Sequence, residues 1–432
     1  MAQGARVRTS AQATVVMFIV LALACACTAV DPDTRQTATA APTTSDASDW
    51  QDQADAISPL VIGSIEPAPV PVLGSDDSYH VAYELTVLNF SPRSAVITEV
   101  ETLGPSGDVL TSLSEGEVGA RTMVVADYSG AQTTPDGGVR IASGKTALLV
   151  IDDAYAARGD IPASVTHRIT ASFGRVESGE GGIAVLWPDE ATQTGGDVRI
   201  SDAEPIEIGA PVRGDGWLVS NACCTLNAHR NVILPVGGRI NAAERFAIDI
   251  SQIDVSRTRA DGYSDGVEVD GDPTRNEDYL AYGAPVLAVA DATVVAVHAT
   301  EPDTPAGTLP LGPGFTLANL GGNSVVLELA PDLYAVYFHL APGSPVVQIG
   351  ETVTKGQEIA LLGNSGNSSA AHLHFQLSRT PLVFSSDVVP YVIEEFTVVG
   401  SLDPASARFQ DEPDPGPRQD ALPLALTVVN FP

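Results

Sequence analysis

Positive charge is what this chain has least of. Its 22 lysines and arginines stand against 54 aspartates and glutamates, a formal net charge of −32 over 432 residues. Binding to phosphate backbones needs a basic surface, so this balance excludes a nucleic-acid partner. Cysteine is nearly absent as well: the four present fall in two tight groups, Cys25 with Cys27 and Cys223 with Cys224, and no disulfide framework can be built from them. For the adjacent Cys223 and Cys224 three readings stay open, a vicinal disulfide, free thiols or metal ligands. Long apolar runs are missing too. Val15–Ala26 is too short and too abruptly ended for a membrane span. Histidine is rare, seven in the whole chain, which makes any two on one face informative.

What is abundant is turn-forming residue: 39 glycines and 31 prolines beside a 44% hydrophobic content point to a globular, strand-rich, all-β chain. Arg6 and Arg8 ahead of the Val15–Ala26 run read as an exported leader over residues 1–27. Cys25 and Cys27 end that run where bacterial lipoproteins carry their acylated cysteine, so the chain is expected outside the cytoplasm, secreted or lipid-anchored at the envelope. Any membrane contact is expected only through that anchor. Residues 28–57 read as a disordered tether. Residues 58–205 carry short strand patterns at His80–Leu88, Ala95–Leu103, Thr146–Ile151, His167–Phe173 and Gly182–Trp187, which predict an immunoglobulin-like β-sandwich. His80 and His167 read there as isolated surface histidines. Residues 206–398 form a second β-rich block, with a hairpin at Asn323–Leu329 and Leu333–Leu340 around Pro331-Asp332. Two more strands within Val346–Leu362 are joined by Lys355-Gly356. Asp254–Asp278 reads as a long solvated loop, without the spacing of a calcium loop, and residues 399–432 as a poorly ordered tail.

The chemistry lies in the second block. In Ala371-His372-Leu373-His374-Phe375-Gln376-Leu377 the apolar residues alternate with His372, His374 and Gln376, so a strand places both imidazoles on one face. Two neutral imidazoles on one face can bind a metal or exchange protons. His339 closes a hairpin strand in Tyr337-Phe338-His339-Leu340. Asp249 closes the apolar run Phe246-Ala247-Ile248, and a buried carboxylate there needs a partner that a metal would supply.

Taken together, these segments resemble the lysostaphin-like family of zinc metalloendopeptidases, which cut peptide bonds in bacterial peptidoglycan. The resemblance covers about 209–398 and includes residues 284–292, Gly322-Asn323, the His339 segment, the turn within 350–360 and the His-x-His. It implies a lysostaphin-like antiparallel β-sheet peptidase domain, Zn2+ as cofactor and peptidoglycan stem or cross-link peptides as partners. The family's zinc ligands are a His-x-x-x-Asp segment and the second histidine of His-x-His. Carried over, these fall on position 245, Asp249 and His374. His339 and His372 then flank the attacking water, His372 exchanging its proton and His339 stabilising the oxyanion. Position 245, however, is Arg245, whose guanidinium has no lone pair for a metal. His229 is read as the replacement ligand, with Cys223 or Cys224 as alternatives. Arg245 is then free to pair with Asp249 or hold a substrate carboxylate, and Arg245 and Asn323 are read as substrate-binding. The competing reading is a degenerate peptidase kept as an envelope binding or regulatory module. A biotinyl- or lipoyl-type barrel over 353–363 ranks last, because it leaves the histidines unexplained.

Overall fold

Alternation of apolar and polar residues with period two builds this chain almost throughout. The computed structural model describes residues 57–125, 134–174, 186–262, 268–309, 315–412 and 415–432. Between residues 60 and 199, two antiparallel sheets stack. One orders Leu60–Ser64, Tyr79–Asn89 (β1), Thr146–Tyr155 and Thr122–Val124; the other orders Glu190–Arg199, Ser164–Ser172, Ala95–Leu103 and Val109–Ser114. Tyr83 and Leu85 of β1 share one apolar core with Ile97, Val100 and Ile169 of the facing sheet. Of the alternate residues, His80, Ala82 and Glu84 are buried as well. Ala82 belongs to the core of the second half, and Glu84 is fully buried. So β1 is covered on both faces, one by its own sandwich and one by the remainder of the chain, and residues 57–432 form a single compact unit.

The second half is organised by one long sheet. Its central order is Thr427–Phe431, Gly214–Ser220 (β2), Ile248–Gln252 (β3), Leu373–Ser378 (β6), Leu333–Leu340 (β5), Asn323–Ala330 (β4) and Ala292–His298, where β4 and β5 are the hairpin expected around Pro331-Asp332. On one face Leu373, Phe375, Tyr337 and Ala335 pack into the main core. Each large apolar side chain buried in this way contributes about 1.5–3 kcal/mol. The other face of the same three strands, β3, β6 and β5, carries the histidines.

Several expectations need correction. The supposed loop after Asp254 begins with a helix, Val255–Asp261, capped by the Asp254 carboxylate, which accepts from the Ser256 and Arg257 amides, and ended by Gly262 at φ 80°. The tail beyond 399 is no loose end: Thr427–Phe431 pairs with both Tyr391–Leu402 and β2, burying Val428, Val429 and Phe431. The strands at Thr352–Val353 and Glu358–Leu361 exist but pair with Ala292–Thr293 and Pro285–Leu287 rather than with each other. The expected strand at 182–187 lies mostly outside the described residues, as do the leader and nearly all of the tether.

Candidate metal centre

Strand register assembles the site. Asp249 on β3 is the direct partner of His374 on β6, and His374 is in turn the partner of Phe338 on β5. All three side chains therefore stand on one face. His372, two residues before His374, joins them by the same alternation. His339 follows Phe338 and by alternation belongs on the opposite face, but its backbone sits at φ 63°. That left-handed twist, uncommon for a residue with a Cβ, returns its ring to 4.7 Å from His372 and 6.0 Å from His374. His229 arrives from outside the sheet, on a short 3-10 turn His229–Asn231, and sets its ring edge-on to His374 at 4.7 Å.

The centre of the group is Asp249 Oδ1. His229 Nε2 and His374 Nδ1 each lie 3.2 Å from it, and His372 Nε2 lies 3.4 Å away. The other nitrogen of each ring faces an acceptor: His229 Nδ1 faces Ala247 O at 3.2 Å, and His372 Nδ1 faces Ala370 O at 2.9 Å. His374 Nε2 faces Gln376 Oε1 at 3.0 Å, and Gln376 is itself oriented by donating its amide to Ala243 O. A carbonyl oxygen only accepts, so each of these nitrogens carries a proton, and in the neutral rings the lone pairs are left on the inward nitrogens, beside the carboxylate. Asn221 Nδ2 donates to Asp249 Oδ2, fixing its orientation. Converging lone pairs repel unless a cation sits among them. Ligand atoms of His229, Asp249 and His374 lie within 4.8 Å of one another and all three residues are buried. Two imidazoles, one carboxylate and outer partners that set the tautomers fit a metal ion.

Without a metal ion, protons take its place on the inward nitrogens that face Asp249. Burial alone would lower the His229 pKa and raise that of Asp249, but their mutual attraction wins: His229 is lifted to about 9 and Asp249 falls well below the carboxylate range. His372 is raised by Asp249 against its burial. His339 is pushed well down, by burial first and then by His372 and His374. Glu244, which sequence reasoning passed over, is buried in the field of His374 and His229, and burial raises its carboxyl.

The structure corrects several residue readings. Arg245 neither pairs with Asp249 nor faces substrate: it is buried, its Nε and Nη2 donating to Glu84 at 3.0 and 2.5 Å, with Nη1 and Nη2 on Pro67 O and Ile65 O. Asn323 is fully buried, its amide donating to Glu301 O and Leu340 O, so it braces the loop beside His339 instead of touching a ligand. Cys223 and Cys224 form a vicinal disulfide in the core, which removes them as ligands. His339 Nδ1 donates to Ser365 O at 2.7 Å, so in the neutral form that burial enforces its Nε2 accepts and cannot stabilise an oxyanion.

His80 and His167 are not surface residues. His167 is fully buried against Tyr83 OH. His80 lies near Asp152 and Cys224 in a second cluster of ligand-type residues, but Cys224 is in the disulfide. Its Nδ1 donates to Asp152 at 2.9 Å and its Nε2 to Asp76 at 3.2 Å, so the ring is an imidazolium with no lone pair. Burial lowers its pKa, but the hydrogen bonds to Asp152 and Asp76 outweigh that and lift it from 6.5 to about 10. Folding thus favours the protonated form. The contribution is complete below pH 6.5 and lost as pH climbs toward about 10. Urea midpoints of the native chain and His80→Gln are expected to converge across that window; a difference unchanged by pH removes the ion pair from the stability balance.

Residues 277–383 match the family model "Peptidase family M23". The matched segment is thus similar to this peptidase family and holds His339, His372 and His374, while His229 and Asp249 precede it. An uncharacterized metalloprotease of Haemophilus influenzae is 33% identical over 105 residues, which is 24% of this chain and only 18% of the relative. Among solved structures, the catalytic domain of the antimicrobial peptidase lysostaphin from Staphylococcus simulans is 18% identical, covering 40% of this chain and 84% of that one at a TM-score of 0.21. A zinc containing peptidase from Vibrio cholerae is 14% identical, covering 78% and 81% at 0.23.

Proposed function

We propose that this chain is a zinc-dependent endopeptidase that hydrolyses peptide bonds of bacterial peptidoglycan, with the leader-like residues 1–27 directing it out of the cytoplasm. The observation that carries the reading is the convergence of His229, Asp249 and His374 ligand atoms within 4.8 Å, all three buried. Held there, zinc would polarise the scissile carbonyl and make water acidic near neutral pH. The chain's own residues do the remainder. His372 Nε2 takes the proton of the attacking water, its tautomer held by Ala370 O and Ser368. It then returns the proton to the leaving amine. His339, equally an acceptor while neutral, offers a second proton site with its ring 4.7 Å from that of His372.

The degenerate reading draws on one observation. Arg245, where the resemblance expects a ligand, is locked into a buried ion pair. Purified sacculi incubated with the zinc-loaded chain separate the two. The enzyme reading expects soluble muropeptides and new free amines, abolished by a chelator and restored by zinc. Binding to sacculi with no release establishes the degenerate module instead.

A further inference from the structure

The turn that delivers His229 is held by the other half of the molecule. Its neighbour Arg230 is 1% exposed, although guanidinium groups are seldom buried without a partner. Its Nη1 donates to Cys224 O at 2.6 Å, and its Nη2 to Tyr83 O at 3.2 Å and Glu84 Oε1 at 3.0 Å. The other oxygen of Glu84 takes the fork of Arg245, four residues before Asp249. One carboxylate of sandwich strand β1 therefore grips two cations. One adjoins His229 and the other lies on the segment leading into Asp249.

We propose that Glu84 is a positioning residue for the metal centre: through Arg230 and Arg245 the sandwich fixes the turn that presents His229. Two facts favour this over a plain docking contact. His229 lies outside the long sheet, so no strand ladder fixes its position; its turn is tied by its own backbone, by the Asn227 side chain on Ala222 O, by His229 on Ala247 O and, to the sandwich, by Arg230. And Arg245 occupies the position where the resemblance expects a ligand, so the arginine serves the same centre from behind: it completes the anchor on Glu84 while His229 supplies the missing donor. On this account the sandwich is a structural part of the site, and the chain after residue 205 would fold around an incomplete ligand set without it.

The inference rests on the metal reading, and its test keeps the two apart. Co2+ is titrated into the metal-free full chain, into Glu84→Gln, into His229→Ala, and into Arg418→Gln. The last loosens a different contact with the same half, Arg418 Nε on Ser75 O at 3.1 Å. Glu84→Gln is expected to raise the Co2+ Kd roughly 10–100-fold, the usual scale for partners behind a ligand, and to shift the visible absorption bands. Arg418→Gln is expected to change neither. Native Kd and spectrum in Glu84→Gln overturn the positioning role, as does an equal loss in Arg418→Gln. No Co2+ binding by the native chain overturns the metal reading beneath it, and unaltered binding by His229→Ala overturns His229's place in it. Should Glu84→Gln not fold, Glu84→Met with Arg230→Met and Arg245→Met replaces the ionic group by apolar side chains, a change that buried ion pairs often tolerate. It is expected to show the same loss, and native binding by that triple variant overturns the proposal.

Discussion

Alanine at position 229 is expected to strip the chain of tightly held zinc. His229 Nε2 and His374 Nδ1 both approach Asp249 Oδ1 at 3.2 Å, and removal of the first leaves one imidazole and one carboxylate. Catalytic zinc sites rest on three protein ligands. Loss of one should exceed the roughly 10–100-fold that outer partners cost, so affinity is expected to fall by several hundred-fold or more. The substitutes weighed from the sequence cannot take over: Cys223 and Cys224 are joined to each other, and Arg245 is bound to Glu84. Metal-free stability should fall too. His229 is the first attraction holding Asp249 ionised against its burial, and breaking a buried pair costs about 3–5 kcal/mol, less here because Asn221 and the remaining imidazoles stay. Zinc per chain after dialysis against buffered free zinc decides it. Stoichiometric metal in His229→Ala rules His229 out as a ligand.

That His229 sits at the centre could be only half read from the sequence. Period two places His372 and His374 on one face, and a carboxylate ending a buried run marks Asp249; these are local signals, and the strand register turns them into a cluster. His229 is different. Nothing local says that a turn after β2 bends back over β3; the information lies in Glu84, 146 residues away from Arg230 and 161 from Arg245. A buried glutamate inside the apolar run of β1 was the available sign, since such a group is rarely buried without a cation. His339 shows another limit: its left-handed backbone breaks the alternation on which sequence reasoning depends. The helix after Asp254 was within reach, because an aspartate N-cap and a glycine stop bracket it. The terminal strand was hidden by the prolines and aspartates just before it, although Thr427-Val428-Val429-Asn430-Phe431 needs only a sheet edge to become a buried strand.

The sandwich changes meaning in this light. Read alone, residues 58–205 look like a spacer or binding module with no clustered chemistry. In the structure the outer face of β1 belongs to the second half: Ala82 lies in its core and Glu84 beneath its site. A strand buried on both faces cannot be a detachable module, because separating the halves would expose Glu84, Arg230 and Arg245 together. Arg245 is then explained without appeal to decay. It has a structural task of its own, holding Glu84 with its Nε and Nη2.

Alanine at position 372 should produce the opposite pattern from position 229, metal kept and turnover lost. His372 is not among the three closest donors, and Asp249, His374 and His229 remain as a set without it. Its side chain is 17% exposed against 4% for His374 and 8% for His229, so it is the imidazole that an incoming peptide can reach. General acid–base groups contribute about 10²–10⁴-fold, and a loss of that size in kcat is expected with zinc content unchanged. His339 sets the floor. Its ring stands 4.7 Å away with Nε2 free to accept, so it can recover part of the proton transfer in the single variant. Combining His339→Ala with His372→Ala should remove that remainder, so the double loss is expected to exceed the product of the single losses, because each histidine covers for the other in the single variants. Full turnover in His372→Ala with zinc bound would take the residue out of the chemistry and leave His339, the neutral partner, as the base.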